Sequence, residues 1–249
     1  MSVQSSTWVT RPAPQPQATM RLFCLPFAGG GASAYRKWAS LLAPTIEVCP
    51  IQLPGRENRL LETAYDNHTP LLEALLPALY PLLDKPYALY GHSMGALLAF
   101  ELARYLEGCA HYPGPRRIFL GAHRAAHLPL QRLPMADLSQ EDLLKKLKEY
   151  GGFNEEVLGS PELLDLILPA VRADIKLCDT YKFEHGRLLN CPIDTLAGAM
   201  DRQTPPNTMR PWELHTKGGV DFHILNGGHF FLNTHTAEVL DIIRTKMCT

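Results

Sequence analysis

The stretch from Pro86 to Phe100, PYALYGHSMGALLAF, constrains this chain more than any other. Tyr87 to Tyr90 is a short apolar, aromatic-rich run. From Ala96 to Leu106 strong helix formers recur at helical spacing, so the segment reads as strand, sharp turn, helix. Between strand and helix lies Gly91-His92-Ser93-Met94-Gly95. Its small residues let the backbone turn tightly enough to hold a serine clear of the chain, as a nucleophile elbow does. Ser93 then stands at the amino end of a helix, where the dipole and free N–H groups favour developing negative charge. Glycines that merely punctuate a turn would give the same letters, but the flanking strand and helix favour a nucleophile.

A chain of 249 residues is long enough to bury a sizeable core, and 46% hydrophobic with 20% charged residues describes an ordinary globular protein. A formal charge of -1 argues against an electrostatic nucleic-acid binder. No apolar run approaches the ~20 residues of a membrane span, and no basic segment with a signal-peptide core opens the chain, so a cytoplasmic location is expected. The six cysteines are scattered without a C-x-x-C pair and read as reduced thiols. The ten histidines show neither HExxH nor a tight Cys/His cluster, so no metal site is expected.

In chain order, Met1 to Thr19 is rich in Ser, Thr, Gln and Pro and predicts a loose arm. Met20 to Phe27 reads as a buried strand, running through Ala28-Gly29-Gly30-Gly31 into a helix from about Ser33 to Leu42, with Ser33 as its cap. The glycine run lacks the Lys-Ser/Thr of a P-loop, and no dinucleotide fingerprint follows. Acyl transfer offers another use for it. Two N–H donors must face the oxyanion, one from the residue after the nucleophile and one from an early strand-to-helix loop. Met94 supplies the first, and Ala28 or Phe27 the second.

Further strands are expected at Ile46 to Gln52, Arg117 to Gly121, Cys191 to Ala199 and Val220 to Leu225. Arg56 and Glu57 in Leu53-Pro54-Gly55-Arg56-Glu57 read as substrate contacts or a solvated loop pair, and His123 just past a strand end as a site or structural residue. From about Leu133 to Glu184 the pattern is helical throughout. Ser139 caps the first helix, Gly151-Gly152 breaks it, and a second runs from Pro161 to Tyr181. A helical insertion between strands predicts a lid, with the glycine pair as its hinge.

An elbow serine needs a base to take its proton and an acid to orient that base, in chain order serine, acid, histidine. Asp201 follows a strand end, and His229 sits in a glycine loop after the final strand. Asp194 and Asp221 rival the acid, and His223 and His235 the base; the two aspartates and His223 fall at or within strands, and His235 opens a helix.

The motifs PFAGGGAS (Pro26 to Ser33), LPGRE (Leu53 to Glu57), YGHSMGALLAFELAR (Tyr90 to Arg104), VRAD (Val171 to Asp174) and GGHFFL (Gly227 to Leu232) resemble those of the type II thioesterases. These are stand-alone α/β hydrolases serving polyketide and nonribosomal peptide synthetases. The resemblance runs from about Met20 to the end. It implies an α/β-hydrolase fold: one domain over 20–249 with a mostly parallel central sheet, flanking helices and a helical lid at about 133–184. It further implies Ser93, Asp201 and His229 as the triad, Ala28 and Met94 as oxyanion donors, no cofactor, and acyl or peptidyl carrier proteins as partners presenting substrate on phosphopantetheine. Arg116, Arg117, Arg124 and the lid lysines are candidates to meet an acidic carrier. The same pattern includes enzymes that release medium-chain fatty acids from fatty acid synthase. A carboxylesterase would use the same triad on oxygen esters, and a non-catalytic carrier-protein binder would keep the scaffold without the chemistry.

Overall fold

Short apolar runs without alternation suit strands covered on both faces, and that is where they lie in the computed structural model, which describes residues 7–130, 132–151 and 159–248. Six strands, β1 (Met20–Leu25), β2 (Ile46–Pro50), β3 (Tyr87–His92), β4 (Arg117–Gly121), β5 (Ile193–Gly198) and β6 (Val220–Leu225), form one sheet. Their order is β2-β1-β3-β4-β5-β6 and every pairing is parallel. The helices are α1 (Arg36–Leu42), α2 (His68–Leu79), α3 (Met94–Gly108), α4 (Gln140–Tyr150), α5 (Pro161–Thr180) and α6 (Thr236–Cys248), with a single turn at Phe231–Thr234 before the last. This is the α/β-hydrolase arrangement.

The two faces of the sheet have separate cores. Leu75, Leu79, Leu98 and Leu102 of α2 and α3 pack with Phe23, Leu25 and Leu89 on one side. Trp38 of α1 and Val239, Leu240 and Ile243 of α6 pack with Leu22, Tyr90 and Phe119 on the other. Successive side chains of the inner strands alternate between these two cores, as the pleat requires, Leu22 and Cys24 of β1 facing one and Phe23 and Leu25 the other. The chain leaves β1 toward β2 and returns to β3 on the opposite side. The strand order therefore reverses between β1 and β3, and at such a switch point the carboxyl ends of two strands open a crevice. The glycine run and Ser93 both emerge there.

The helical segment has a third core of its own. Leu143 and Leu147 of α4 meet Leu164, Leu168, Val171 and Ile175 of α5, with Met135 from the approach to α4. The Ser139 hydroxyl accepts the Asp142 N–H at 3.1 Å, the cap read from the sequence. Gly151 ends α4 with φ 72°, a left-handed C-cap; Gly152, the other half of the expected hinge, lies outside the described residues. No described helix is long and apolar enough to cross a membrane.

Two local expectations are corrected. Within the segment read as a loose arm, Met1 to Ser6 lie outside the described residues, but the stretch that follows docks on the edge strand β2. Val9 bridges Ile51 antiparallel, the Thr10 N–H reaches Pro50 O at 2.9 Å, and the Gln52 N–H reaches Trp8 O at 2.8 Å. Arg11 adds an ion pair to the fully buried Glu47, which Arg21 meets from the other side at 2.8 Å. Backbone pairing covers an otherwise open sheet edge, and composition does not register it. Ser33 is not a helix cap either: Ala32–Tyr35 is a 3-10 turn, α1 begins at Arg36, and the Ser33 hydroxyl donates to Glu57.

Candidate active site

The elbow is built by what glycine omits. A Cβ on Gly91 would collide with the Gly95 carbonyl, and one on Gly95 with the Leu25 carbonyl of β1, so strand, helix and neighbouring strand meet only without side chains. Between them Ser93 adopts φ 53° and ψ -118°, outside the regions open to most L-residues. Strain of this kind persists only where surroundings impose it. Here the Ser93 N–H is held by Gly121 O at 2.8 Å, and Ala96 N–H bonds back to Ser93 O at 2.9 Å.

His229 meets this serine. Its Nε2 lies 3.1 Å from Ser93 Oγ, and its Nδ1 lies 2.8 Å from Asp201 Oδ2. The other Asp201 oxygen accepts the N–H groups of Gln203 at 2.8 Å and Thr204 at 3.1 Å, fixing the carboxylate by backbone alone. The rivals lie elsewhere. Asp194 accepts from His223 Nε2 at 2.7 Å and from Arg117 at 2.5 Å inside the sheet, Asp221 pairs with Lys246, and the His235 ring contacts Thr234. The geometry therefore brings together Ser93, His229 and Asp201.

Two further histidines lie near this one, and each gives a ring N–H to a backbone carbonyl. His92 is fully buried on β3 and donates its Nε2–H to His229 O at 2.8 Å. Burial and the neighbouring His229 ring hold its pKa well below the usual value. His123 donates Nδ1–H to Arg124 O at 2.7 Å, and its own carbonyl accepts the Trp212 indole N–H at 2.9 Å. Burial and the adjacent Arg124 lower it to about 3. His123 is thus placed beside the site as a neutral structural ring.

The N–H groups of Ala28 and Met94 have no hydrogen-bond partner among the described residues. Both residues border a cavity of about 760 Å³ that also includes Ser93 and His229. Its far wall is the helical segment, through Met135, Leu147, Tyr150, Ile175 and Cys178. Burial pushes the Cys178 thiol up to about 12, so it is no competing nucleophile. Arg124, named as a surface cation from sequence, instead lines this cavity, and Arg117 is spent on Asp194. Among the described residues no group of three or more His, Cys, Asp or Glu is placed to hold a metal ion.

Of the two readings of Arg56, the solvated one is corrected. Arg56 is 6% exposed, not a solvated loop residue, and grips Asp174 of α5 with both arms, at 2.5 and 2.9 Å. The hint in the sequence is that both residues sit in motifs, LPGRE and VRAD.

The thioesterase domain family matches residues 20–247. Linear gramicidin dehydrogenase LgrE of Brevibacillus parabrevis is 36% identical, over 98% of this chain and 94% of its own length. Thioesterase PikA5 of Streptomyces venezuelae is also 36% identical, over 98% of this chain and 86% of its own. Among solved structures, the type II thioesterase BorB from the borrelidin biosynthetic cluster superimposes with a TM-score of 0.88 at 37% identity, covering 97% of this chain and 98% of BorB.

Proposed function

Since the chain belongs to the thioesterase family, we propose that it hydrolyses acyl thioesters carried on the phosphopantetheine arm of carrier proteins, clearing aberrant or stalled acyl groups from a polyketide or nonribosomal peptide synthetase. The observation that carries this reading is the hydrogen-bonded series Ser93, His229, Asp201 opening into a cavity walled by the helical segment, beside two unpaired N–H groups. The dehydrogenase in the name of LgrE finds no counterpart in this sequence, which lacks a dinucleotide fingerprint.

In the proposed mechanism Ser93 Oγ attacks the thioester carbonyl as its proton passes to His229 Nε2. Asp201 holds the ring through Nδ1–H and stabilises the imidazolium. The carbonyl oxygen becomes an oxyanion between the Ala28 and Met94 N–H groups. Collapse breaks the C–S bond and releases the pantetheine thiol, which takes the proton back from His229; a thiol, ionising near ~8.5, leaves far more easily than an amine. Water then attacks the acyl-serine with His229 as base, freeing the acid and restoring Ser93. The reading invokes no resident cofactor, since phosphopantetheine arrives with the partner, and places the enzyme in the cytoplasm.

The test is hydrolysis of a panel of acyl groups, each presented on a phosphopantetheinylated carrier protein and on a small free thiol, with Ser93→Ala as control. Faster release of short acyl groups from the carrier is expected. Preference for medium chains would move the reading to fatty acid release, and equal rates on matched oxygen esters to a general esterase. Turnover by Ser93→Ala would overturn the mechanism.

A further inference from the structure

The glycine run that carries Ala28 has little intrinsic shape: Gly29 sits at φ 76°, and its local backbone bonds are Gly30 N–H to Phe27 O at 2.8 Å and Ala34 N–H to Gly31 O at 3.2 Å. An oxyanion donor works only if it is already aimed. What aims this loop comes from two distant segments. Asp174 Oδ2 on α5 accepts the Gly29 N–H at 2.8 Å while the same carboxylate is held by the Arg56 fork. Arg56 Nη1 also reaches Gly30 O at 3.3 Å. Gln52 Oε1 accepts the Ala32 N–H at 2.9 Å, and its amide nitrogen donates to Arg56 O at 3.0 Å. Glu57 Oε1 accepts the Ser33 N–H at 3.2 Å and the Ser33 hydroxyl at 2.5 Å. From Gly29 to Ser33 the loop is held by side chains of the segment 52–57 and of the helical insertion.

We propose that Arg56 and Asp174 are positioning residues for the oxyanion loop, so that the lid helix α5 is itself part of the apparatus that aims the Ala28 N–H. The inference rests on Ala28 as an oxyanion donor. The pair is almost wholly buried, with side chains 7% and 1% exposed. A buried ion pair of this kind seldom adds net stability over apolar residues of the same volume, so stability alone is a poor reason for one here. Its geometry is a better reason: a planar fork closing on a carboxylate fixes direction as well as distance, and leaves the carboxylate free to take the adjacent Gly29 N–H.

Three variants test this on acyl-thioester hydrolysis: Asp174→Asn, Arg56→Lys and the apolar double replacement Arg56→Met with Asp174→Leu. Each is expected to lower kcat about tenfold to a hundredfold with KM changed less than about threefold, the scale of a misaimed rather than a deleted donor. Affinity for an alkyl boronic acid, whose tetrahedral serine adduct occupies the oxyanion position, should fall by the same factor as kcat/KM. The double variant is expected to melt close to wild type, which keeps the test valid if a single variant fails to fold. A folded double variant with wild-type kcat and boronate affinity would overturn the proposal. Activity in Ser93→Ala would instead remove the reading beneath it, so the two failures are distinguishable.

Discussion

Two aspartate–histidine pairs are built from the same two strands, at 2.7 and 2.8 Å, and only one of them faces a serine. Asp194 is the second residue of β5, with His223 beside it in the middle of β6. Asp201 and His229 lie just beyond the carboxyl ends of those strands. About 13 Å of strand separates Asp194 from the end of β5. Both acids are fully buried at the side chain, so burial does not distinguish them. Their second oxygens do. Asp194 is neutralised by Arg117 at 2.5 Å, whereas Asp201 is held by two backbone N–H groups and, among the described residues, has His229 as its one ion-pair partner. A carboxylate already matched by a guanidinium has little left to offer a ring that becomes cationic. One held by dipoles retains its full charge for the imidazolium that the proposed mechanism creates.

The comparison breaks most visibly in turnover. Asp201→Asn is expected to lower kcat about 10⁴-fold, as loss of the orienting acid does in serine hydrolases generally, whereas Asp194→Asn should stay within about threefold of wild type. Steady-state rates on one acyl thioester check both, and equal losses would mean that the buried pair in the sheet also serves the chemistry. Stability should run the other way. Asp194→Ala leaves Arg117 without its buried partner and is expected to cost about 3–5 kcal/mol, read as a shift of the urea midpoint at unchanged m value. A loss below about 1 kcal/mol would show that Asp221, 3.6 Å from Arg117, takes over as partner.

The same contrast explains what could be read from the sequence. β4 coincides with its expected range because a short apolar run bounded by polar residues is a local signal, and β6, VDFHIL, because apolar residues alternate with polar ones along it. Asp201 and His229 are legible because a strand end, a polar residue and a chain order can all be read in one dimension. The Arg56–Asp174 pair is not: its members lie 118 residues apart, and nothing in a lone arginine announces a bidentate partner. The docking of Trp8 to Thr10 on β2 is hidden for another reason, since apart from the Thr10 hydroxyl on Pro50 O its hydrogen bonds are made by backbone groups that every sequence carries. His92 lies within the elbow motif, yet its role as donor to His229 O depends on a loop 137 residues away.

The smallest expected effect sharpens the comparison around His229, because the two rings nearest the site are kept neutral by burial. His123, lowered to about 3, and His92, lowered well below 6.5, refuse protons that the unfolded chain accepts. The unfolded state therefore binds more protons below about pH 6.5, and stability, complete above that value, falls as pH is lowered toward the folded pKa values. Each such ring costs up to ~1.4 kcal/mol per pH unit in that window. His123→Gln retains a side-chain N–H able to meet Arg124 O but has no group to titrate, so it should flatten the acid limb by about one ring's share. Urea unfolding at pH 7, 6 and 5 measures both slopes. Parallel slopes for wild type and variant would mean that His123 takes up its proton in the folded protein. The wall of the cavity that holds Ser93 would then carry a second titrating ring.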